Sequence, residues 1–290
     1  MPKRIWEKLW QILKVIWQDN RLRDCPLCGV KSRLKKLMLG SLNVTDKFRS
    51  LAPKKFALTL CKSCELLYLS PLPEKQVLDE IYIENVQFDN PTYTGAKAKS
   101  AMEFCSERFN ALLQAVTPSD KNISLLEIGA GLSWLSRAAK AKNKKYTTVA
   151  QDITSEAVET CEWVDHYVVG ELNLKLDHIQ RFAPYQIISL THVIEHLPNP
   201  IETLTICNNL LDKKGIIFIT APHRPKGWEK SSPIEIWREW YYNHVPQHLQ
   251  YFNKKSMKIC ADKARLDIVF FDASAEEGQA FETWLKKIGG

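Results

Sequence analysis

From residue 123 onward, short apolar runs alternate with segments of helical periodicity, and no other feature of the chain limits its fold as tightly. Runs near 123–129, 146–151, 166–169, 186–191, 215–221 and 266–271 read as strands, rich in Val, Ile, Leu and Phe and bounded by polar or turn residues. Helical patterns follow at 132–142, 154–162, 200–211 and 254–265. Strands alternating with helices predict an α/β architecture, a doubly wound and mostly parallel sheet covered on both faces. Residues 279–287 are the candidate for the final edge strand.

Within that pattern, Leu125-Leu126-Glu127-Ile128-Gly129-Ala130-Gly131-Leu132-Ser133 is an apolar strand that runs through an acid into two glycines and then a helix. Paired glycines let the backbone turn sharply and approach a ligand closely. The turn is not a dinucleotide fingerprint, because Trp134 stands where the third glycine belongs. It is not a phosphate loop either, because no Lys-Ser or Lys-Thr follows. Asp152 ends the second strand, 21 residues beyond Gly131, where a carboxylate can hold ribose hydroxyls.

Ahead of the sheet lie two Cys-x-x-Cys pairs, Cys25/Cys28 and Cys61/Cys64, separated by 32 residues. A tight turn between two cysteines aims both sulfurs at one ion, and two such turns supply tetrahedral sulfur coordination, the geometry of structural Zn²⁺. Four protein ligands close the shell, so the role is structural, with the ion supplying folding energy to a segment too short for much core. A redox dithiol and an iron–sulfur cluster are the alternatives. Cys105, Cys161, Cys207 and Cys260 stand singly and read as buried thiols.

The charge is unevenly spread. Residues 1–64 carry 15 Lys and Arg against four acids, a balance of +11 within a chain whose net charge is +7. A basic front end suits an anionic partner: nucleic acid, lipid headgroups or an acidic glycan, with a plain solvated surface as the alternative. Residues 1–22 read as an amphipathic helix, with Trp6, Trp10 and Trp17 among the apolar residues at helical spacing and lysines largely elsewhere. Such a helix fits peripheral contact with a membrane, or packing on its own protein. No apolar stretch approaches the ~20 residues of a membrane span, and no cleavable leader is recognisable, so a cytoplasmic location is expected, with the inner face of the membrane as its peripheral variant. The expected organisation is the helix at 1–22, a cysteine module at 23–72, a linker and helical lid at 73–122, including a helix over 97–116, and the main domain at 123–290.

From Glu127 to about residue 270 the chain resembles the class I S-adenosylmethionine (SAM)-dependent methyltransferases, in the group of ubiquinone-biosynthesis and sugar O-methyltransferases. The resemblance rests on an ordered set: Glu127-x-Gly129-x-Gly131, Asp152, Gly170-Glu171-Leu172, His192-Val-Ile-Glu195-His196-Leu197-Pro198-Asn199-Pro200, Leu210-Leu211 to Gly215 and Pro222, then His244, His248, Tyr251 and Phe252. It implies a Rossmann-like, seven-stranded sheet with a small zinc ribbon in front. It also implies a SAM site at Glu127, Gly129, Gly131, Asp152, Glu171, Leu172 and Thr191. Two departures stand out: Ser133 where many relatives have a third glycine, and Glu65 where many ribbons have glycine after the second cysteine pair.

The acceptor chemistry falls to His192, Glu195, His196 and His244. One histidine, His192 or His196, can serve as general base. Alternatively Glu195 and His196, with His192 and one of His244 or His248, can hold Mg²⁺ or Mn²⁺. A purely structural role for the loop is the third reading. The aromatics Trp228, Trp237, Trp240, Tyr241 and Tyr242 suit either an acceptor pocket or core. The expected reaction is methyl transfer to a hydroxyl of a small molecule, sugar or glycan. The alternatives are an RNA methyltransferase whose basic front end binds phosphates, and a non-catalytic SAM-binding scaffold.

Overall fold

A computed structural model describes residues 23–31, 36–42, 56–79, 81–82, 95–116, 122–223, 240–274 and 279–289. The amphipathic helix expected over 1–22 and the tryptophans at 228 and 237 lie outside the described residues. Among the described residues, no helix is long and apolar enough to cross a membrane.

Two sheets form. The smaller comprises β1 (Lys36–Leu42), β2 (Phe56–Cys61) and β3 (Leu67–Ser70), antiparallel in sequence. Next come the short helix α1 (Lys75–Asp79) and the long helix α2 (Gly95–Ala115). The larger unit is built from β4 (Ser124–Ile128), α3 (Trp134–Lys142), β5 (Thr147–Asp152), β6 (His166–Val169), α4 (Leu176–Ile179), β7 (Tyr185–Thr191), α5 (Pro200–Leu210) and β8 (Leu211–Pro222). It closes with β9 (Gln250–Tyr251), α6 (Lys254–Lys263), β10 (Leu266–Asp272) and β11 (Ala280–Lys287).

The large sheet has the order β10-β11-β8-β7-β4-β5-β6, parallel from β8 to β6 and antiparallel at β11. Its direction of winding reverses at β4, which has β5 on one side and β7 on the other. A crevice opens at the carboxyl ends of those strands, the place where open α/β sheets bind ligands. The apolar runs explain the order. Leu125, Leu126, Ile187, Ile188, Ile216 and Ile217 are fully buried in the central strands, as a sheet covered on both faces requires.

Two expectations are corrected. Residues 279–287 do form a strand, but β11 lies inside the sheet and β10 takes the edge. The burial follows the position: Phe281, Thr283 and Leu285 are fully buried, whereas Val269 and Phe270 on β10 are exposed. The helix expected over 154–162 is a run of turns, closed partly by bonds spanning three residues, as from Thr160 N to Ala157 O. Thr154 is folded back onto Asp152, and the Cys161 thiol points at the Gly131 carbonyl, so side chains at both ends of the segment are held by the glycine turn and the β5 end.

The small sheet is completed from far along the chain. β9 pairs with β3, with Leu67 opposite Tyr251 and Tyr68 opposite Gln250. Arg23 seals the junction by donating to the carbonyls of Leu69 and Leu249, and it lies over the Tyr68 ring. The cysteine module therefore does not stand apart. Cys25, Cys61, Cys64 and Tyr68 share one apolar core with Leu126, Ile128 and Ile188 of the large sheet.

Candidate functional site

The glycine turn after β4 is held by two carboxylates, and they do different work. Glu127, buried at the strand end, accepts from the Ser133 hydroxyl at 2.7 Å, from Ser136 N at 2.7 Å and from Leu135 N at 3.3 Å. It thus caps the first turn of α3, whose amide groups would otherwise be unpaired. Burial pushes its carboxyl upward, and those hydrogen bonds oppose the shift. Asp152 ties the neighbouring strand to the same turn. One oxygen accepts from Gly131 N at 2.8 Å, the other from Thr154 N at 3.0 Å.

Gly129 has φ of 60°, and a Cβ there would sit 2.5 Å from Val193 Cγ2, so the turn leaves no room for a side chain. Ser133, the departure from a third glycine, adopts the left-handed region at φ 53°. That conformation costs a side-chain-bearing residue about 1 kcal/mol, and the Ser133–Glu127 hydrogen bond offsets it.

Around the crevice lies a cavity of about 1190 Å³. Glu127, Gly129, Gly131, Asp152, Glu171, Leu172, Thr191, His192 and His196 all line it, nine residues singled out from the sequence and brought to one wall. Gly170, at φ 124°, donates its N–H to the Asp152 carbonyl and so places Glu171 beside the turn. Opposite this wall, Leu72, Pro73, Lys75, Leu78 and Tyr82 form a roof together with Phe104 and Arg108 of α2. Lys75 reaches Glu171 at 3.1 Å, bridging roof to wall.

At the far end, β7 runs into a tight turn. His192 has φ of 53°, and its N–H is fixed on the Thr220 carbonyl. Glu195 follows, fully buried. Its Oε1 lies 3.5 Å from His192 Nδ1 and 3.9 Å from His196 Nε2, and neither carboxylate oxygen reaches a partner at hydrogen-bonding geometry. Burial would raise this carboxyl, but the facing rings of His192, His196 and His248 bring it below the usual range.

Glu195, His196 and His248 offer ligand atoms that all fall within 4.8 Å of one another. His248 Nδ1 lies 2.9 Å from the Tyr242 carbonyl, which can only accept, so Nδ1 carries the proton. Burial, then the neighbouring His196, holds the His248 ring well below its usual pKa. His244 meets His248 edge-on at 5.1 Å, and neither ring lines the cavity. Burial lowers its pKa as well.

Two partners of this site carried no sequence signal. Tyr82 belongs to no motif, and Gln247 contributes only its carbonyl. The support of the turn was equally hidden: Gln250 Nε2 donates to the carbonyls of Ile194 and Leu197, and Leu249 N donates to that of Glu195.

The four cysteines form a second centre. Cys25 and Cys64 sulfurs are 3.4 Å apart, those of Cys28 and Cys61 3.5 Å, and all four fall within 4.8 Å. Tetrahedral coordination with ~2.3 Å bonds needs sulfurs about 3.8 Å apart, so the cluster is close to the size of that cage. Its two knuckles are built alike. Gly29 N bonds Cys25 O at φ 68°, and Glu65 N bonds Cys61 O at φ 64°. The hydrogen bond from Cys64 brings the Cys25 thiol down to about 5.

Residues 98–269 match the model of a family described as "Methyltransferase domain". A search of the curated proteins finds no match. Among solved structures, the chain is similar to magnesium protoporphyrin IX methyltransferase from Synechocystis, solved with bound SAH, at 11% identity and a TM-score of 0.52 over 74% of this chain and all of that one. It also aligns with an O-methyltransferase family 2 protein from Planctomyces limnophilus in complex with apigenin, at 16% identity and a TM-score of 0.48. That alignment covers 66% of this chain and 63% of the other, so this chain spans less than two thirds of its length. The first of these likenesses shows the shared fold.

Proposed function

The chain belongs to the methyltransferase-domain family, and from that premise we propose that it transfers a methyl group from SAM to a hydroxyl of a small molecule, sugar or glycan. The observation that carries the reading is the single wall running from Asp152 through the Gly129–Gly131 turn to His192 and His196. A cavity of about 1190 Å³ exceeds the ~300–1,000 Å³ of ordinary ligand pockets and suits a donor and an acceptor side by side.

SAM supplies an activated methyl sulfonium, so the protein's work is alignment, exclusion of water and removal of the acceptor proton. Asp152 would take the ribose hydroxyls with lone pairs left over from Gly131 and Thr154. Glu171 and Leu172 would border the adenine, Thr191 would lie toward the methyl, and the turn backbone would meet the amino-acid part. Glu127 acts through the turn that it caps. His196, or His192, takes the acceptor proton. Lys75 and Arg108 at the cavity are paired with Glu171 and Glu282, which suits a neutral hydroxyl better than a phosphate-bearing acceptor.

Calorimetry with SAM on the intact protein and on Asp152→Ala tests the donor site. Micromolar to sub-millimolar binding is expected, weakened ~10–100-fold in the variant by loss of charge-assisted hydrogen bonds. No heat at millimolar SAM sinks the reading.

The three facing ligands favour a second version of the acceptor chemistry, in which Glu195, His196 and His248 hold a divalent ion that acidifies the hydroxyl. Both oxygens of Glu195 are open to it. Loss of labelled-methyl transfer after EDTA, restored by Mg²⁺ or Mn²⁺, is the expected result for this version; indifference to EDTA eliminates it. The four thiols would hold one structural Zn²⁺, which would bind them as thiolates.

A further inference from the structure

The segment roofing the cavity carries a tyrosine whose hydroxyl enters the histidine cluster. Tyr82 Oη lies 2.5 Å from the Gln247 carbonyl and 2.9 Å from His196 Nδ1, and His196 Nδ1 lies 3.0 Å from the same carbonyl. These three atoms close a triangle in which the protons can be placed by elimination. A carbonyl oxygen only accepts, and a tyrosine hydroxyl has one proton to give. The shortest side of the triangle commits that proton to Gln247. The Tyr82 oxygen then faces His196 Nδ1 as an acceptor, as does the carbonyl. Both partners of Nδ1 therefore require an N–H, and the proton of a neutral His196 sits on Nδ1. Its lone pair is left on Nε2, the atom 3.9 Å from Glu195 Oε1.

We propose that Tyr82 is a positioning residue: delivered by the roof, its hydroxyl fixes the ring and tautomer of His196 so that Nε2 is the working atom beside Glu195. The consequence for methyl transfer rests on the function proposed above; the proton placement does not.

The delivery is built into the fold. Ile81 is fully buried in a cluster with Leu58, Leu60, Leu67, Leu69 and Tyr251, so the residue before Tyr82 is rooted in the small sheet. At the opposite end of the roof, Lys75 is pinned to Glu171. The Tyr82 and His196 rings meet edge-on at 5.5 Å and 84°, which leaves the hydroxyl as the polar link between them. A ring nitrogen held by an outer partner is the usual way in which a protein selects which imidazole nitrogen reacts.

The test is nitrogen-15 NMR of the imidazole groups in the full-length protein, with His196 assigned by difference from His196→Gln. At a pH where the His196 ring is neutral, the wild type is expected to show a protonated Nδ1 and an unprotonated Nε2, the reverse of the common solution form. Tyr82→Phe keeps the ring and removes the hydroxyl; the fixed pattern should give way to averaging between tautomers. Calorimetry with SAM runs beside it, with affinity expected within about twofold of wild type, since Tyr82 lies at the acceptor end.

A wild-type His196 carrying its proton on Nε2 overturns the proposal, whatever the variant does. So does a Tyr82→Phe protein that retains the wild-type pattern. Absence of SAM binding in the wild type, with the expected tautomer present, overturns the methyltransferase reading of the cavity and leaves the placement of the proton standing.

Discussion

The two sheets of this protein share one apolar core and differ in what each adds to it. The seven-stranded sheet buries near-continuous apolar runs, and its strands would be legible in any α/β chain. The four-stranded sheet is small, takes its last strand from residues 250–251, and gathers four thiols at one end. The small sheet has an apolar cluster of its own, with Leu58, Leu60, Leu67, Leu69 and Tyr251, and adds to it the four thiols proposed as zinc ligands. The division reaches the cavity. The large sheet supplies the glycine turn and Asp152, and the small sheet, through β9, Gln250 and Ile81, holds the Glu195–His196 turn and the roof. The glycine turn and the Glu195–His196 turn thus take their support from different sheets.

The largest effect expected from that division comes from Cys61→Ser. Loss of one ligand should release the metal and with it the folding energy of the small sheet. Hydrogen exchange should then show the amides of Leu67–Ser70 and Gln250–Tyr251 losing protection together, while β4 and β7 stay protected. SAM affinity should fall by less than ~10-fold, about 1.4 kcal/mol, whereas labelled-methyl transfer disappears. Protected β9 amides beside an exchanged β3 would break the comparison, because the acceptor turn would then stand without the cysteines.

Gly129→Ala attacks the other support. The left-handed φ costs alanine about 1–2 kcal/mol, and clearing Val193 Cγ2 from 2.5 Å costs a further ~1–3 kcal/mol of displaced packing. A stability loss of about 2–4 kcal/mol is expected, with SAM binding weakened at least ~10-fold and the exchange of the small sheet unchanged. A variant that binds SAM normally would show that the close approach of β4 and the Val193 turn does not shape the donor site.

What the sequence made legible follows the same line. Strand positions, glycine turn and cysteine pairs were readable because their signals are local: apolar runs, fixed spacings, a small residue where the chain must bend. β9 was not readable, since a two-residue strand has no periodicity and its partner lies some 180 residues earlier. The turns at 154–162 read as a helix because the pattern cannot show Thr154 and Cys161 being held by Asp152 and Gly131. Glu127 was placed at the right turn, but a carboxylate at a strand end can face a ligand or a helix terminus with the same sequence, and here it faces the helix. Tyr82 reaches its partners only through the fold.

The smallest effect belongs to the residue that joins the two supports most directly. Glu65 occupies, at φ 64°, the knuckle position that Gly29 fills at φ 68° in the other half of the cysteine cluster. Its carboxylate accepts from Asn253 Nδ2 and Lys255 Nζ, each at 3.1 Å, strapping the knuckle to the start of α6. Glu65→Gly relieves about 1 kcal/mol of left-handed strain. It also removes a half-exposed ion pair worth ~0.2–1 kcal/mol and one hydrogen bond of about 1 kcal/mol. Asn253 keeps its capping bond to Ser256 N through the other side-chain atom, so α6 itself should not fray. The opposing contributions nearly cancel, and thermal unfolding should place the variant within ~1 kcal/mol of wild type. The sign carries the information. A net gain means that backbone strain outweighs the strap and the cysteine cluster alone locates the small sheet. A loss above about 2 kcal/mol means that the carboxylate of Glu65 fastens the knuckle more strongly than the Asn253 and Lys255 contacts alone would.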